Sequence, residues 1–430
     1  MNYSNVCRLG SNIGFRGYDK HGNRVQRKLE YSPTLYMSSN NKTEFCDIHG
    51  GYVEEIQPGS MWECKQFIDS WNNVAGMQLH GQDNWTVQFL SDLYHGEKPP
   101  NIEFSDINTM YIDIETQSEY GFPDVDDPCE MINAITMRTN DVTYVLGVGK
   151  FDIPSRDGRE FRCFEFECEE DLLNEFINLW NIIDPDVITG WHSTPFDIPY
   201  LIARITRLFG EDHANKLSPW GKIWKKSVKD DYGNMRTAYV IYGIAQLDFM
   251  QLYKKYVLAP RESYKLDFIA GVEVGHKKID WHEKYDTMKE FYDDDFQLFM
   301  EYNVVDVDLI YMMEQKLRLL ELQTQIAYTA KVNYDDVFSP VRTWDAIIYN
   351  HLREDDIVIP MLTVTEKRSQ YAGAYVMEPV PGMYECVASY DLASLYPSIL
   401  IMMSVSPENI ILRGELEGFK QRLQRRLESC

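Results

Sequence analysis

The stretch NTMYIDIETQ, Asn108 to Gln117, alternates aromatic or β-branched residues with polar ones, the period-two signature of a strand. On such a strand Tyr111, Asp113 and Glu115 share one face, while Ile112 and Ile114 share the other. Two carboxylates this close on one face repel each other unless a cation lies between them. An Asp-Ile-Glu triplet is also common on exposed strands, so the stretch defines a candidate only. Its weight comes from what stands around it.

Downstream, EEDLLNEFINLWNII predicts an amphipathic helix, and DPDVITGWHSTPFDIPYLIARI predicts a short buried strand at Val187–Thr189, a Gly turn and a second helix. That helix carries Asp197 near its start, where the helix dipole alone would also favour an acid. FMEYNVVDVDLIYMMEQKL predicts a long helix with Tyr302 and Asp306 one turn apart on one face. The competing reading makes Asp306 or Asp308 a solvated charge and Tyr302 a core residue. Residues 103–320 thus alternate strands and helices in the manner of an α/β domain.

Around it, residues 1–102 read as short strands and turns, punctuated by DKHGN, NNKT and IHGGY, with one helix over SMWECKQFIDSWNNV. The segment HGEKPPN marks a boundary, since Gly and two prolines interrupt regular structure. Residues 321–365 read as helical at first and then loop-rich. In 366–430, YDLASLYPSIL from Tyr390 reads as a buried strand that delivers Asp391 to a tight polar turn and then a helix. Near the end, Leu416, Phe419, Leu423 and Leu427 recur at helical spacing, an apolar seam with a basic opposite face.

Composition narrows the classes. Of 430 residues 44% are hydrophobic and 13% aromatic, which is globular and far from disorder. No apolar run approaches the ~18 residues of a membrane span, and the first 25 residues lack the apolar core of a secretory signal. The eight cysteines are scattered, as for reduced cytoplasmic thiols, and Cys163 and Cys168 have no His or third Cys nearby to make a zinc site. A net charge of −25 argues against nucleic-acid binding until one notes that bound divalent cations reverse the field of an acidic site. LGVGKFD lacks the spacing and hydroxyl of a phosphate-binding loop.

Taken in order, the strand with Asp113 and Glu115, the helix start with Asp197 and the helix with Tyr302 and Asp306 resemble the three exonuclease motifs of family B DNA polymerases, of the branch found in large tailed phages of the T-even type. YKLDFIAGVEVGHKK resembles the segment between the second and third motifs, and VKDDYGNMRTAYVIYGIAQLDF the β-hairpin inserted between primer and template. YAGAYVMEPVPGMY resembles the linker to the polymerase domain, and DLASLYPSI polymerase motif A.

The resemblance implies a mixed α/β fold: a ribonuclease-H-like 3′–5′ exonuclease domain at 103–320 with a mixed sheet flanked by helices, an α+β N-terminal domain at 1–102, a return segment at 321–365 packing on it, and a partial palm at 366–430. It implies two Mg²⁺ or Mn²⁺ ions. Asp113 would bridge them, Glu115 and Asp306 would complete the site, Asp197 would act largely through water, and Tyr302 would orient the attacking water. DNA contacts fall to His192, Tyr232, Gly233, Tyr371 and Gly373. His192 stands where the family usually has Asn. In the polymerase half-site Asp391 would ligate metal, while Leu392, Ser394, Leu395 and Tyr396 would contact the nucleotide.

The second catalytic aspartate and the basic fingers helix do not occur in these 430 residues. The expectation is a proofreading exonuclease, acting in the cytoplasm of an infected host if phage-encoded. Its polymerase site would be completed by a second polypeptide that docks on the apolar seam and through which a sliding clamp is reached. The alternatives are a free-standing truncated exonuclease and a non-catalytic nucleic-acid-binding module.

Overall fold

The structure of the protein, a computed structural model, describes residues 2–71, 74, 78–96, 104–118, 121, 123–155, 158–229, 233, 235–361, 373–406, 409, 417–418 and 420–421. The chain separates into two compact units, Met1–Val364 and Thr365–Cys430. The boundary segment expected at 95–101 and the apolar seam of Leu416, Phe419, Leu423 and Leu427 lie largely or wholly outside the described residues.

The first unit opens with an antiparallel sheet of β1 (Asn2–Leu9), β2 (Asn12–Tyr18) and β3 (Arg24–Glu30). There follow β4 (Leu35–Ser38), β5 (Phe45–Asp47), β6 (Tyr52–Ile56), α1 (Met61–Trp71), β7 (Leu79–His80) and α2 (Trp85–Leu93). α1 begins with a reciprocal cap, because Glu63 accepts from the Ser60 backbone N–H at 2.7 Å.

Next come β8 (Thr109–Thr116), β9 (Ile132–Arg138), β10 (Val142–Val148), β11 (Glu160–Phe166), α3 (Glu169–Ile183), β12 (Val187–Thr189), α4 (Asp197–Phe209) and α5 (Glu211–Ala214). The hairpin of β13 (Ile223–Lys229) and β14 (Met235–Ile241) precedes β15 (Ala245–Gln246). Six strands form one mixed sheet in the order β11-β10-β9-β8-β12-β15, with β8 antiparallel to β9 and parallel to β12.

Helices α6 (Phe249–Tyr256), α7 (Leu266–Glu273), α8 (Met288–Asp294) and α9 (Phe296–Leu317) complete this region. Ile112 and Ile114 face α3 and α4, joining Phe176, Trp180, Leu201 and Ile205 in one core. The opposite face receives Phe299, Met300 and Val304 of α9 against Ala134 and Val145. Each fully buried aliphatic or Phe side chain stabilises by roughly 1.5–3 kcal/mol, and burial on both faces fixes the strand register. The alternation read at 108–117 is therefore the alternation of the sheet, and the fold is the mixed α/β architecture expected.

Charge clamps hold the sheet's edges. Buried Arg16 of β2 donates to the Gly243 carbonyl at 2.9 Å and to Asp184 at 2.7 Å, while Tyr18 and Arg24 engage Asp186. Asp186 immediately precedes β12, so the N-terminal sheet braces the strand that leads to Asp197.

After α9 the chain continues through α10 (Leu319–Ala330), α11 (Pro340–Glu354) and β16 (Ile357–Val358), which pairs with β5. α11 corrects the loop-rich reading of the latter part of 321–365. Ser339 caps it and Pro340 opens it, but its buried face carries Thr343 and Asn350, whose polarity breaks the apolar period.

In the second unit the described residues comprise α12 (Leu395–Met402), helical positions at 417–418 and 420–421, and otherwise turns and coil. This corrects the strand expected at Tyr390–Asp391. A strand exists only where a neighbour pairs with its backbone, and among the described residues this segment has none. Asp391 is exposed, not buried, and so are Leu392, Leu395, Tyr396 and Gly373. Ser394 takes a left-handed φ of 50° at the start of the helix.

Candidate active site

β8 and α9 bring three carboxylates together on the sheet's second face, and the start of α4 reaches the same strand. Asp113, Glu115 and Asp306 each offer a carboxylate oxygen, and these oxygens lie within 4.8 Å of one another. Asp113 and Glu115 keep a solvent-facing edge, whereas Asp306 is buried. The cluster is therefore largely enclosed.

Its electrostatics follow from that enclosure. Burial, then the nearby Asp197, Asp306 and Glu115, raise the Asp113 carboxyl well above its usual range. Burial and Asp306 push Glu115 up to about 8. Asp306 is pushed to about 6, since Lys278 and Tyr302 offset part of its burial.

Asp197, the first residue of α4, accepts the Ile114 backbone N–H at 3.2 Å and is pushed by burial to about 7. It is thus strapped to the strand of Asp113 and Glu115 without joining their tight trio. Gly190 makes this approach possible, because a Cβ there would meet the Ile112 carbonyl oxygen at 2.5 Å.

Several partners are invisible to motif reading. Lys278 ion-pairs with Asp306 Oδ2 and donates to the Tyr302 hydroxyl at 3.0 Å. Asn303 donates to Asp113 at 2.8 Å and accepts from Thr136, the residue opposite Asp113 across the β8–β9 ladder. Asp308 is held by Arg138 at 2.6 Å and by Arg159, locking α9 onto the sheet. The solvated-charge reading of Asp306 and Asp308 is thereby excluded, as both are buried. The signal for Asn303 was present: an amide on the buried face, three residues before Asp306. Lys278 closes the stretch YKLDFIAGVEVGHKK, but no local pattern marks which of its lysines the fold turns inward.

The donor set fits a divalent cation. Asp306 Oδ1 is buried with no hydrogen-bond partner, which is costly unless a ligand occupies it. All three clustered groups are hard oxygen donors suited to Mg²⁺ or Mn²⁺ chemistry.

His192 lines a cleft with Thr194 and Arg236. Its φ is 68°, a left-handed conformation that Asn and His tolerate better than most residues. That shared tolerance explains how His can stand at a position where Asn is expected. Burial, then Arg236 and Lys254, lower its imidazole below the usual value. Exchanging one polar contact for another alters a net hydrogen-bond term of about 1 kcal/mol. His192→Asn is accordingly expected to change the hydrolytic rate by no more than about tenfold, measured as kcat against pH. At the hairpin end Gly233 has φ 86°, whereas Tyr232 lies outside the described residues, as does Tyr371.

A mixed sheet that places a carboxylate trio between a strand and a helix defines a class of candidate cation-binding sites. Comparison with known proteins agrees. Residues 55–269 match the family model "DNA polymerase family B, exonuclease domain", and residues 344–427 match "DNA polymerase family B". The chain belongs to DNA polymerase family B.

It is 32% identical to the DNA-directed DNA polymerase of Escherichia phage RB69 over 95% of this chain and 47% of that protein. With the DNA-directed DNA polymerase of Enterobacteria phage T4 it shares 29% over 96% of this chain and 48% of the relative. With the DNA polymerase delta catalytic subunit of Candida albicans the figures are 28%, 60% and 25%. The chain spans about half the length of the phage relatives it matches. The family implies a divalent metal, and the trio is where this chain could hold one. Among the described residues no helix is long and apolar enough to cross a membrane.

Proposed function

We propose that the chain hydrolyses DNA from the 3′ end, one nucleotide at a time, as a proofreading exonuclease. The observation that carries this reading is the carboxylate trio with its partnerless Asp306 oxygen, on the strand and helix of an exonuclease-type domain. Asp113, Glu115 and Asp306 would hold the cations, with Asp197 behind them. Two bound Mg²⁺ or Mn²⁺ ions would supply charge neutralisation at the phosphate and a more acidic water.

The chain's own side chains do the rest. Asn303 holds Asp113 in one rotamer through its tie to Thr136, and rigid ligands are what such chemistry needs. Lys278 fixes the Tyr302 hydroxyl oxygen as an acceptor, so the phenol proton points toward Asp306 and toward any water placed there. The test is release of mononucleotides from 3′-labelled single-stranded DNA with and without divalent cation. Release that ignores chelation, or that starts at the 5′ end, would overturn the reading.

Lys278 is a positioning residue in this scheme. Lys278→Ala is expected to lower kcat about a hundredfold, in line with loss of a ligand-orienting partner. Lys278 depresses the Asp306 and Glu115 carboxyls, so its loss should move the acidic limb of the pH–rate profile to higher pH. A lower rate with an unmoved limb would mean only a structural role.

We further infer that Asp391, with Leu392, Ser394, Leu395 and Tyr396, is half of a nucleotide-addition site. Polymerisation would need a second palm carboxylate, fingers and thumb from further polypeptide, and a sliding clamp would be reached through that partner. Two phage polymerases among the most similar relatives favour action in the cytoplasm of an infected cell.

A further inference from the structure

Several buried acids of this chain face an arginine: Asp186 meets Arg24, Asp308 meets Arg138 and Glu169 meets Arg204. Asp248 is as deeply buried, at 1% exposure, yet its oxygens are held by backbone N–H groups. It stands between β15 and α6, and it belongs to none of the strand and helices that bear the carboxylate trio.

Its two oxygens have different tasks. Oδ1 accepts the Gln251 N–H at 3.0 Å, which caps α6. Oδ2 accepts the Thr194 N–H at 3.1 Å, and the His192 N–H is bonded to the same carboxylate. His192 and Thr194 lie in the turn between β12 and α4, which ends at Asp197. The backbone beside Asp248 grips the start of that turn as well. Leu247 N–H donates to the Ile188 carbonyl and Phe249 N–H to the Gly190 carbonyl, each at 2.9 Å. Burial pushes the Asp248 carboxyl up to about 6, against the pull of its backbone donors, so it is an anion at neutral pH.

The turn needs such a hold. His192 has a φ of 68°, a left-handed conformation that a residue other than Gly keeps only where its surroundings impose it. From there the chain folds back at once: Phe196 N–H donates to the His192 carbonyl at 3.2 Å and Ile198 N–H to the Ser193 carbonyl at 3.0 Å. These bonds fix where α4 begins, and so where Asp197 meets the Ile114 N–H. We propose that Asp248 is a positioning residue of the carboxylate site, whose Oδ2 sets the turn after β12 and through it the place of Asp197. The inference rests on the exonuclease reading only for its effect on rate, since the effect on cation binding needs no DNA.

Asp248→Ser separates the two tasks. A serine oxygen still caps α6, whereas nothing replaces the oxygen that reaches Thr194. In the full chain, amide exchange should therefore quicken at Thr194 and stay slow at Gln251. The Mg²⁺ dissociation constant, read by calorimetry without DNA, should rise about tenfold, and kcat on oligo-dT of twelve residues should fall about 10–100-fold, as on loss of a group that orients a metal ligand. KM for the oligonucleotide should hold. In an Asp197→Asn background the same change should cost far less, because its effect travels through Asp197.

Unchanged Mg²⁺ affinity and kcat in a variant whose Thr194 amide has opened would overturn the assignment, as would equal losses in both backgrounds. Asp248→Asn, which keeps the shape and one acceptor oxygen, guards against simple unfolding. If both variants melt far below the parent, Asp248 serves stability and not position. A parent that binds Mg²⁺ but releases no nucleotide would instead refute the exonuclease reading, and the calorimetric comparison would then decide the role of Asp248.

Discussion

Asp113→Ala is expected to abolish 3′-end hydrolysis, lowering kcat at least about a thousandfold while leaving the fold intact. Asp113 belongs to the cluster, and its carboxyl is raised by burial and then by Asp197, Asp306 and Glu115 together. Removing it would cost several kcal/mol of transition-state charge stabilisation, which converts to about three powers of ten in rate. Stability should move the other way. In chelator the parent encloses mutually repelling carboxylates, and deleting one relieves that repulsion, so the variant should melt higher than the parent. Retention of more than a tenth of the parent rate, with a folded protein, would remove Asp113 from the reaction.

Chelation should have the second large effect, and its size should depend on pH. Glu115 is pushed from 4.5 to about 8, Asp197 from 3.8 to about 7 and Asp306 from 3.8 to about 6. In the unfolded chain these groups ionise at their ordinary values. Between about pH 4 and 8 the metal-free folded protein therefore holds more protons than the unfolded one, and its stability falls as pH rises through that window.

Divalent cation competes with those protons and binds the ionised carboxylates, so its stabilisation should grow over the same interval. At a hundred times the dissociation constant it would reach about 2.7 kcal/mol. Melting curves with chelator and with Mg²⁺ across this range give the measurement. Glu115→Gln separates the cluster from other titrating groups, because it should flatten the chelator curve. If Mg²⁺ stabilises equally at both ends of the range, the cluster is not the metal site.

The local grammar of the chain carried much of this. The alternation at Thr109–Thr116 placed Asp113 and Glu115 on one face, and the four-residue spacing placed Tyr302 and Asp306 together. α3 follows the apolar period read for it, and α4 stands where a helix was expected after the Gly turn. Each of these is a short-range property, since strand and helix periods repeat within a few residues and burial of one face enforces them. α11 escaped because two polar residues face inward, and the strand expected at Asp391 failed because strand formation depends on a partner that local pattern does not contain.

What only the tertiary structure decided is the company the carboxylates keep. Lys278 meets Asp306 across 28 positions, Asn303 meets Asp113 across 190, and Arg138 meets Asp308 across 170. The cleft lined by His192 likewise assembles Lys229, Arg236 and Lys254 from a hairpin and a helix that no single period connects. Motif residues could be named from sequence because they are tied to the elements that bear them. Which cations and amides they meet could not, because Coulomb energy and hydrogen bonding depend on distance in space, and only the packed sheet and α9 set those distances.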